Sequence, residues 1–191
     1  QGAAYWSEGE DVEFRSEEGL AIFSRFPITE HEYVLLSRNM SDSWNSHQRI
    51  CLGAKIQLHH NISVQVFVTH LPLEQSIRTT NIREIVEYLD EKRNQHSSSW
   101  QVLCGDFNQE DVQLDSFHSC SGCQCFTDAW LQYCNNNTNP ASTACGNHGN
   151  TFSTNLHYQK RIDFVFVRTS RELCNFKPHS KRWINEQENG F

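Results

Sequence analysis

Five short apolar runs separated by polar turns limit what this chain can fold into. Leu20 to Phe26 reads as a buried strand closed by Pro27, which lacks the N–H that a ladder uses. Ile50 to Leu58 and Ser63 to Leu71 are two further strands joined by the turn His59-His60-Asn61. In the second, Val64, Val66 and Val68 alternate with Gln65 and Thr69, while Phe67 makes the other side apolar too. Both of its faces are therefore expected to be covered. Gln101 to Cys104 is a short buried strand, and Ile162 to Val167 is the last. There Ile162, Phe164 and Phe166 fall on one side, with Asp163, Val165 and Val167 on the other.

Between the third and fourth runs the period changes. Ile82, Ile85, Val86 and Leu89 recur at helical spacing with Arg83, Glu84, Glu87 and Lys92 off the stripe, which predicts a helix over roughly Ser76 to Arg93. A second, short helix is expected over Phe126 to Tyr133, inside a segment rich in Cys and Asn. Covered strands with a helix between them imply an α/β fold, with sheets sandwiched by helices.

No repeat, linker or internal boundary divides the 191 residues, and that length suits one domain. A 37% hydrophobic and 20% charged composition is that of a globular chain. The longest apolar stretches, such as Ile162 to Val167, are too short to cross a bilayer. The start, Gln1 to Trp6 followed by acidic residues, has neither the basic opening nor the apolar run of a signal peptide, so any such signal is expected upstream. A net charge of -7 disfavours a tight nucleic-acid binder, which would gain affinity from clustered Lys and Arg. A nuclease stays open, because a bound cation offsets the local field.

Eight cysteines and three glycosylation sequons, at Asn39, Asn61 and Asn136, point to the secretory pathway or the extracellular space. Cys120, Cys123 and Cys125, with His118 nearby, invite a zinc reading. They lack a second well-spaced ligand pair, so disulfides or free thiols are preferred, with a bridge expected within Cys120 to Cys145. Cys104 is expected to be a small core hydrophobe.

The chemistry gathers at the ends of the apolar runs: Thr69-His70, Gly105-Asp106-Phe107-Asn108, and Asp163. A rigid strand end holds a side chain firmly and still exposes it to substrate. One His, two carboxylates and an Asn suit phosphodiester hydrolysis: a carboxylate takes a proton from water and other groups stabilise the phosphate oxygens. The bland readings are a strand-end turn for Asp106 and Asn108, a satisfied histidine for His70, and a structural pair with Arg161 or Lys160 for Asp163.

The series Glu18 to Ile28, Thr69-His70-Leu71, Gly105-Asp106-Phe107-Asn108, Thr127-Asp128-Ala129-Trp130, Gly149-Asn150-Thr151-Phe152 and Arg161-Ile162-Asp163-Phe164-Val165 resembles the endonuclease/exonuclease/phosphatase superfamily. The resemblance runs from about Glu18 to Val167. It implies a four-layer α/β sandwich, two packed mixed sheets flanked by helices, and dependence on Mg²⁺. By motif position Asp106 would orient or deprotonate the attacking water, and Asn108 would hydrogen-bond the scissile phosphate. These two would also help hold the metal. His70 would meet the phosphate as acid or electrostatic partner, and Asp163 would orient the catalytic groups.

The resemblance also implies a metal-binding Glu before the chain's first residues and a Ser-Asp-His motif after its last. Residues 1–191 are thus expected to form one incomplete domain. Glu17 and Glu18 are not at the metal motif; one of them could support His70. The late basic cluster Lys177, His179, Lys181 and Arg182 is either a solvated loop or an aid to phosphate binding. The reading is metal-dependent hydrolysis of a phosphoester, a diester before a monoester, by the complete protein. Lipid or small-molecule substrates are favoured over DNA, because the charge is acidic and the opening Glu18 to Ile28 looks more like sphingomyelinase-type members. The alternatives are an endonuclease, or an inactive shortened form that acts as a binding module.

Overall fold

The computed structural model describes residues 3–8, 19–41, 47–96, 99–112, 114, 125–136, 149–152 and 160–169. Strands β1 (Ala3–Glu8) and β2 (Gly19–Ser24) form an antiparallel pair. Among the described residues the main sheet has six strands: β3 (Ile28–Leu35), β4 (Ile50–His59), β5 (Ile62–His70), β6 (Trp100–Asp106), β7 (Thr127–Asp128) and β8 (Asp163–Arg168). Their order is β3-β4-β5-β6-β8-β7. Among the described strands only β5 and β6 run parallel, and helix α1 (Gln75–Gln95) makes the crossover that such a pair needs.

Two apolar clusters hold the sheet from its two sides. Phe67, Leu103, Phe164 and Phe166 pack with Ile82, Ile85, Val86 and Leu89 of α1. On the opposite face Leu52, Ala54, Ile56, Val64, Val66 and Val68 pack with Leu20 and Ile22 of β2. The expected α/β sandwich is therefore present, and its described residues supply three layers: α1, the mixed six-stranded sheet and the β1–β2 pair. Both faces of β5 are indeed used, as its pattern of alternating Val and Gln, Phe or Thr requires.

A buried polar row crosses the helix-facing side. Gln65, Gln101 and Arg168 are register neighbours on β5, β6 and β8. The Gln101 amide donates to Gln65 Oε1 and to the Leu89 carbonyl, each at 2.8 Å. Its Oε1 accepts from Arg168 Nε at 3.0 Å, and Arg168 Nη1 meets Asp90 Oδ1 at 2.5 Å. Arg168 also lies over the Phe126 ring at 4.2 Å. These contacts tie β8 to α1 where a purely apolar seam would slide.

Four elements differ from the sequence reading, which placed only a polar lead-in where β1 lies and also missed β3, β7 and the start of α2. Strand β3 is unforeseen because its helix-facing positions are charged: Glu30 pairs with Lys55 at 2.8 Å and His96 at 3.0 Å, and Glu32 with Lys92 at 2.6 Å. The short helix expected over Phe126 to Tyr133 begins later. Thr127 and Asp128 pair with β8 as β7, and helix α2 covers Ala129–Asn136. Asp128 Oδ1 accepts the Leu131 N–H at 3.1 Å, the bond of an N-cap aspartate, and so marks the true start.

Candidate active site

The site is built at one end of the main sheet by three adjacent strands. His70 ends β5, Asp106 ends β6 and Asp163 begins β8. His70 and Asp106 are register partners, and Asp106 and Asp163 are register partners in turn. Partners across a ladder project to the same face. The row therefore extends the line of Val66, Val68 and Cys104, on the side opposite α1. His70 Nε2 lies 3.7 Å from Asp106 Oδ2, with the two side chains 32% and 29% exposed: open to solvent, yet held.

Two backbone features fix Asp106. Gly105 has φ +149°, and a Cβ there would stand 1.9 Å from the Thr69 carbonyl oxygen, so only glycine lets β6 close on β5 beside His70. Asn108 has φ 51°, a left-handed value that Asn adopts more readily than most residues. The sharp turn sends the Asn108 N–H back to Asp106 Oδ1 at 2.7 Å. The Asn108 Nδ2 donates to the Leu71 carbonyl at 2.7 Å, which joins the two strand-end loops. The Leu71 N–H in turn donates to the Asp106 carbonyl at 2.9 Å, and Phe107 N–H to the Ile162 carbonyl at 2.8 Å.

Asp163 does not make the structural pair considered from sequence. Arg161 instead pairs with Asp128 and lies over the Phe164 ring at 4.3 Å, and Lys160 pairs with Glu110 at 3.3 Å. The Asp163 carboxylate has no partner among the described residues, although its N–H donates to Thr151 Oγ1 at 3.1 Å. The Thr127-Asp128 and Gly149-to-Phe152 motifs thus act as scaffolding: Asp128 anchors Arg161 and Thr151 seats Asp163.

Arg78 was missed by the sequence reading. Only 8% exposed, it donates to Gln109 Oε1 at 2.8 Å and to the carbonyls of Leu73 at 2.7 Å and Pro72 at 3.2 Å. It clamps the loop after His70 to the loop after Asn108, and burial pulls its guanidinium below the ordinary value. The only signal in the sequence was a charged residue at the opening of α1, indistinguishable there from a solvated one.

Asp106, Asn108 and Asp163 offer the hard oxygen donors that Mg²⁺ takes, and Mg²⁺ characteristically uses one or two carboxylates and fills the rest with water and phosphate. The Asn108 carbonyl oxygen is unengaged among the described residues, since its amide nitrogen carries the bond to Leu71. The donor types fit. Yet among the described residues no three His, Cys, Asp or Glu side chains converge closely enough to hold an ion.

Glu17 and Glu18, most of the Cys120–Cys145 segment and the Lys177–Arg182 cluster lie outside the described residues. Cys125 and Cys134 are disulfide-bonded, so Cys125 offers no thiolate to zinc. Cys51 and Cys104 are free thiols. Cys104 is half-buried instead of a full core residue, because its face of β6 lies beyond the reach of β2; burial still raises its thiol pKa. No described helix is long and apolar enough to cross a membrane.

A mixed-sheet sandwich that gathers a histidine, two aspartates and an asparagine at one end defines an α/β scaffold of hydrolase type. The chain belongs to the endonuclease/exonuclease/phosphatase family, whose sequence model matches residues 3–181. A search of curated proteins by sequence gave no significant match. Among solved structures it is similar to the catalytic domain of human Nocturnin with a bound sulfate anion: 14% identity, TM-score 0.59, covering 87% of this chain and 60% of that one. It is also similar to TDP2 of D. rerio complexed with a single-strand DNA product, at 16% identity and TM-score 0.58, covering 88% and 63%. A third is a mannosyl-6-phosphatase of Bacteroides thetaiotaomicron, at 20% identity and TM-score 0.54, covering 86% and 62%. These likenesses show the fold. The chain spans about three fifths of the length of such structures.

Proposed function

We propose that the whole protein hydrolyses a phosphoester, a diester in preference to a monoester, with Mg²⁺ and with a lipid or small-molecule substrate. The row His70–Asp106–Asp163 on three neighbouring strands carries this reading. Asp106 and Asn108 would help hold the ion, which when bound neutralises phosphate charge and polarises the phosphoryl group.

The chain's own groups divide the remaining work. Asp106 has one oxygen occupied by the Asn108 N–H, which leaves Oδ2, on the His70 side, to orient a water and accept its proton. His70, at 3.7 Å, is placed to meet a phosphate oxygen or to protonate the leaving oxygen. Asn108 stays fixed through Leu71 and presents a neutral polar group to the phosphate, while Asp163 holds a carboxylate beside Asp106 that has no partner among the described residues. Substrate preference rests on the net charge of -7, which opposes a long polyanion.

The test is hydrolysis by the complete protein of a bis(nitrophenyl) phosphate, a phosphocholine lipid and a DNA duplex, each with Mg²⁺ and with chelator. Lipid or small-diester turnover that chelator stops and Asp106→Asn abolishes is expected. DNA as the best substrate would replace this reading with the endonuclease. The fold is shared by TDP2 bound to a single-strand DNA product and by a mannosyl-6-phosphatase, so it serves both substrate classes. We also propose a secretory or extracellular setting, supported by the oxidised Cys125 and Cys134 and by the three sequons.

A further inference from the structure

We propose that Asn61 carries an N-linked oligosaccharide and that Asn39 does not. The assignment rests on the secretory setting proposed above and distinguishes between two sequons that are identical in pattern. His60 and Asn61 form the whole turn between β4 and β5. Asn61 is exposed, and its side-chain amide makes no hydrogen bond among the described residues. Leu58 and Ile62 beside it are 43% and 53% exposed, an apolar edge that a bulky hydrophilic substituent would cover.

The turn is also remote from the site. Ile62 and His70 are the two ends of β5, roughly 26 Å apart at the rise of an extended strand. Asn39 is the opposite case. It is half-buried, its Oδ1 accepts the Ser41 N–H at 3.0 Å, and its Nδ2 points to Glu74 Oε2 at 3.4 Å. Glu74 follows His70 by one short loop, so a sugar on that nitrogen would break the contact and crowd the mouth of the site.

Timing follows from the acceptor sequence. Ser63, the third sequon residue, is 8% exposed, and its hydroxyl lies 2.6 Å from the Ser99 hydroxyl, across the β5–β6 seam. Transfer must therefore precede closure of β5 on β6. The Asn61 Nδ2 attacks the anomeric carbon of a polyprenyl-diphosphate-linked oligosaccharide. A C–N bond forms, the C–O bond to the diphosphate breaks, the amide loses one proton, and the polyprenyl diphosphate leaves.

Peptide mass mapping of the full chain, expressed through the secretory pathway of a eukaryotic cell, tests this. The Asn61 peptide should carry a glycan that peptide-N-glycosidase F removes, leaving Asp at that position. Asn61→Gln and Ser63→Ala should lose the glycan and Asn39→Gln should keep it, while the Asn39 peptide stays bare. A bare Asn61 in secreted chain overturns the proposal. If Cys125 and Cys134 are oxidised in that preparation, the failure belongs to the site alone; if both are reduced, the compartment reading falls with it. A glycan on Asn39 in place of Asn61 overturns it as well.

Discussion

At the scale of single residues, the site depends on a backbone that few side chains allow. Asn108 combines a left-handed φ with two hydrogen bonds, to Asp106 and Leu71, so its conformation and its amide can be separated by substitution. Asn108→Gly should keep the turn and lose the amide; Asn108→Ala should lose the amide and add about 1–2 kcal/mol of strain. Activity should fall in both, with the alanine variant less stable in urea than the glycine one. Equal stabilities would show that the turn is not strained. For Asp106→Asn, the isosteric loss of a proton acceptor predicts a rate lower by about 10²–10⁴ with an unchanged melting temperature. The free thiols Cys51 and Cys104 give an independent check on packing. Burial raises the pKa of both Cys51 and Cys104, and a raised pKa means less of the reactive thiolate at neutral pH. Folded protein treated with iodoacetamide at pH 7 should leave Cys51, which is fully buried, unmodified and label Cys104 slowly; in denaturant both should label. Rapid labelling of Cys51 in the fold would contradict its place under α1.

At the scale of elements, Arg168 holds β8, and with it Asp163, against α1. Arg168→Met keeps the bulk over Phe126 but leaves Gln101 Oε1 buried without its donor and Asp90 without its cation. Breaking one partner of a buried charged network costs about 3–5 kcal/mol; with Asp90 36% exposed, the expected loss is nearer 2–3 kcal/mol in chemical denaturation. A change under 1 kcal/mol would mean that the network is incidental to β8. This row also marks the limit of what the sequence reveals. Strands β4 to β6, with apolar groups on both faces, and β8, with Phe164 and Phe166 on the α1 side, were legible because alternation and the terminal polar residues mark them directly, and α1 was legible from its stripe. Strand β3 was not, because Glu30 and Glu32 face α1 and satisfy it with ion pairs, so no apolar pattern betrays the strand. Strand β7 was not, because a two-residue strand has no period to detect. The convergence of His70, Asp106 and Asp163 was anticipated by motif order, since each motif sits at a strand end. The clamp by Arg78 and the seating of Asp163 by Thr151 were not, because both are contacts between loops far apart in sequence.

At the scale of the whole molecule, the main sheet is covered unevenly. Leu52, Ala54 and Ile56 of β4 are buried beneath β2, whereas Val165 on β8, on the same side of the sheet, remains 45% exposed. The site row lies on that less covered side, and among the described residues no three His, Cys, Asp or Glu side chains come close enough together to hold an ion. A partly assembled shell binds a divalent ion weakly, because the missing donors are replaced by water and the carboxylates repel one another. The 191-residue chain, alone in Mg²⁺, is therefore expected to turn over a phosphodiester at least ~100-fold more slowly than a version carrying the additional length seen in the structures it matches, a loss comparable to deleting one preorganised stabilising group. Calorimetric titration should show the same ordering for Mg²⁺ affinity, which separates a failure to hold the ion from a failure of chemistry. Comparable rates from both proteins, each abolished by Asp106→Asn, would show that His70, Asp106, Asn108 and Asp163 suffice. The uneven cover of the sheet would then be a matter of stability and not of catalysis.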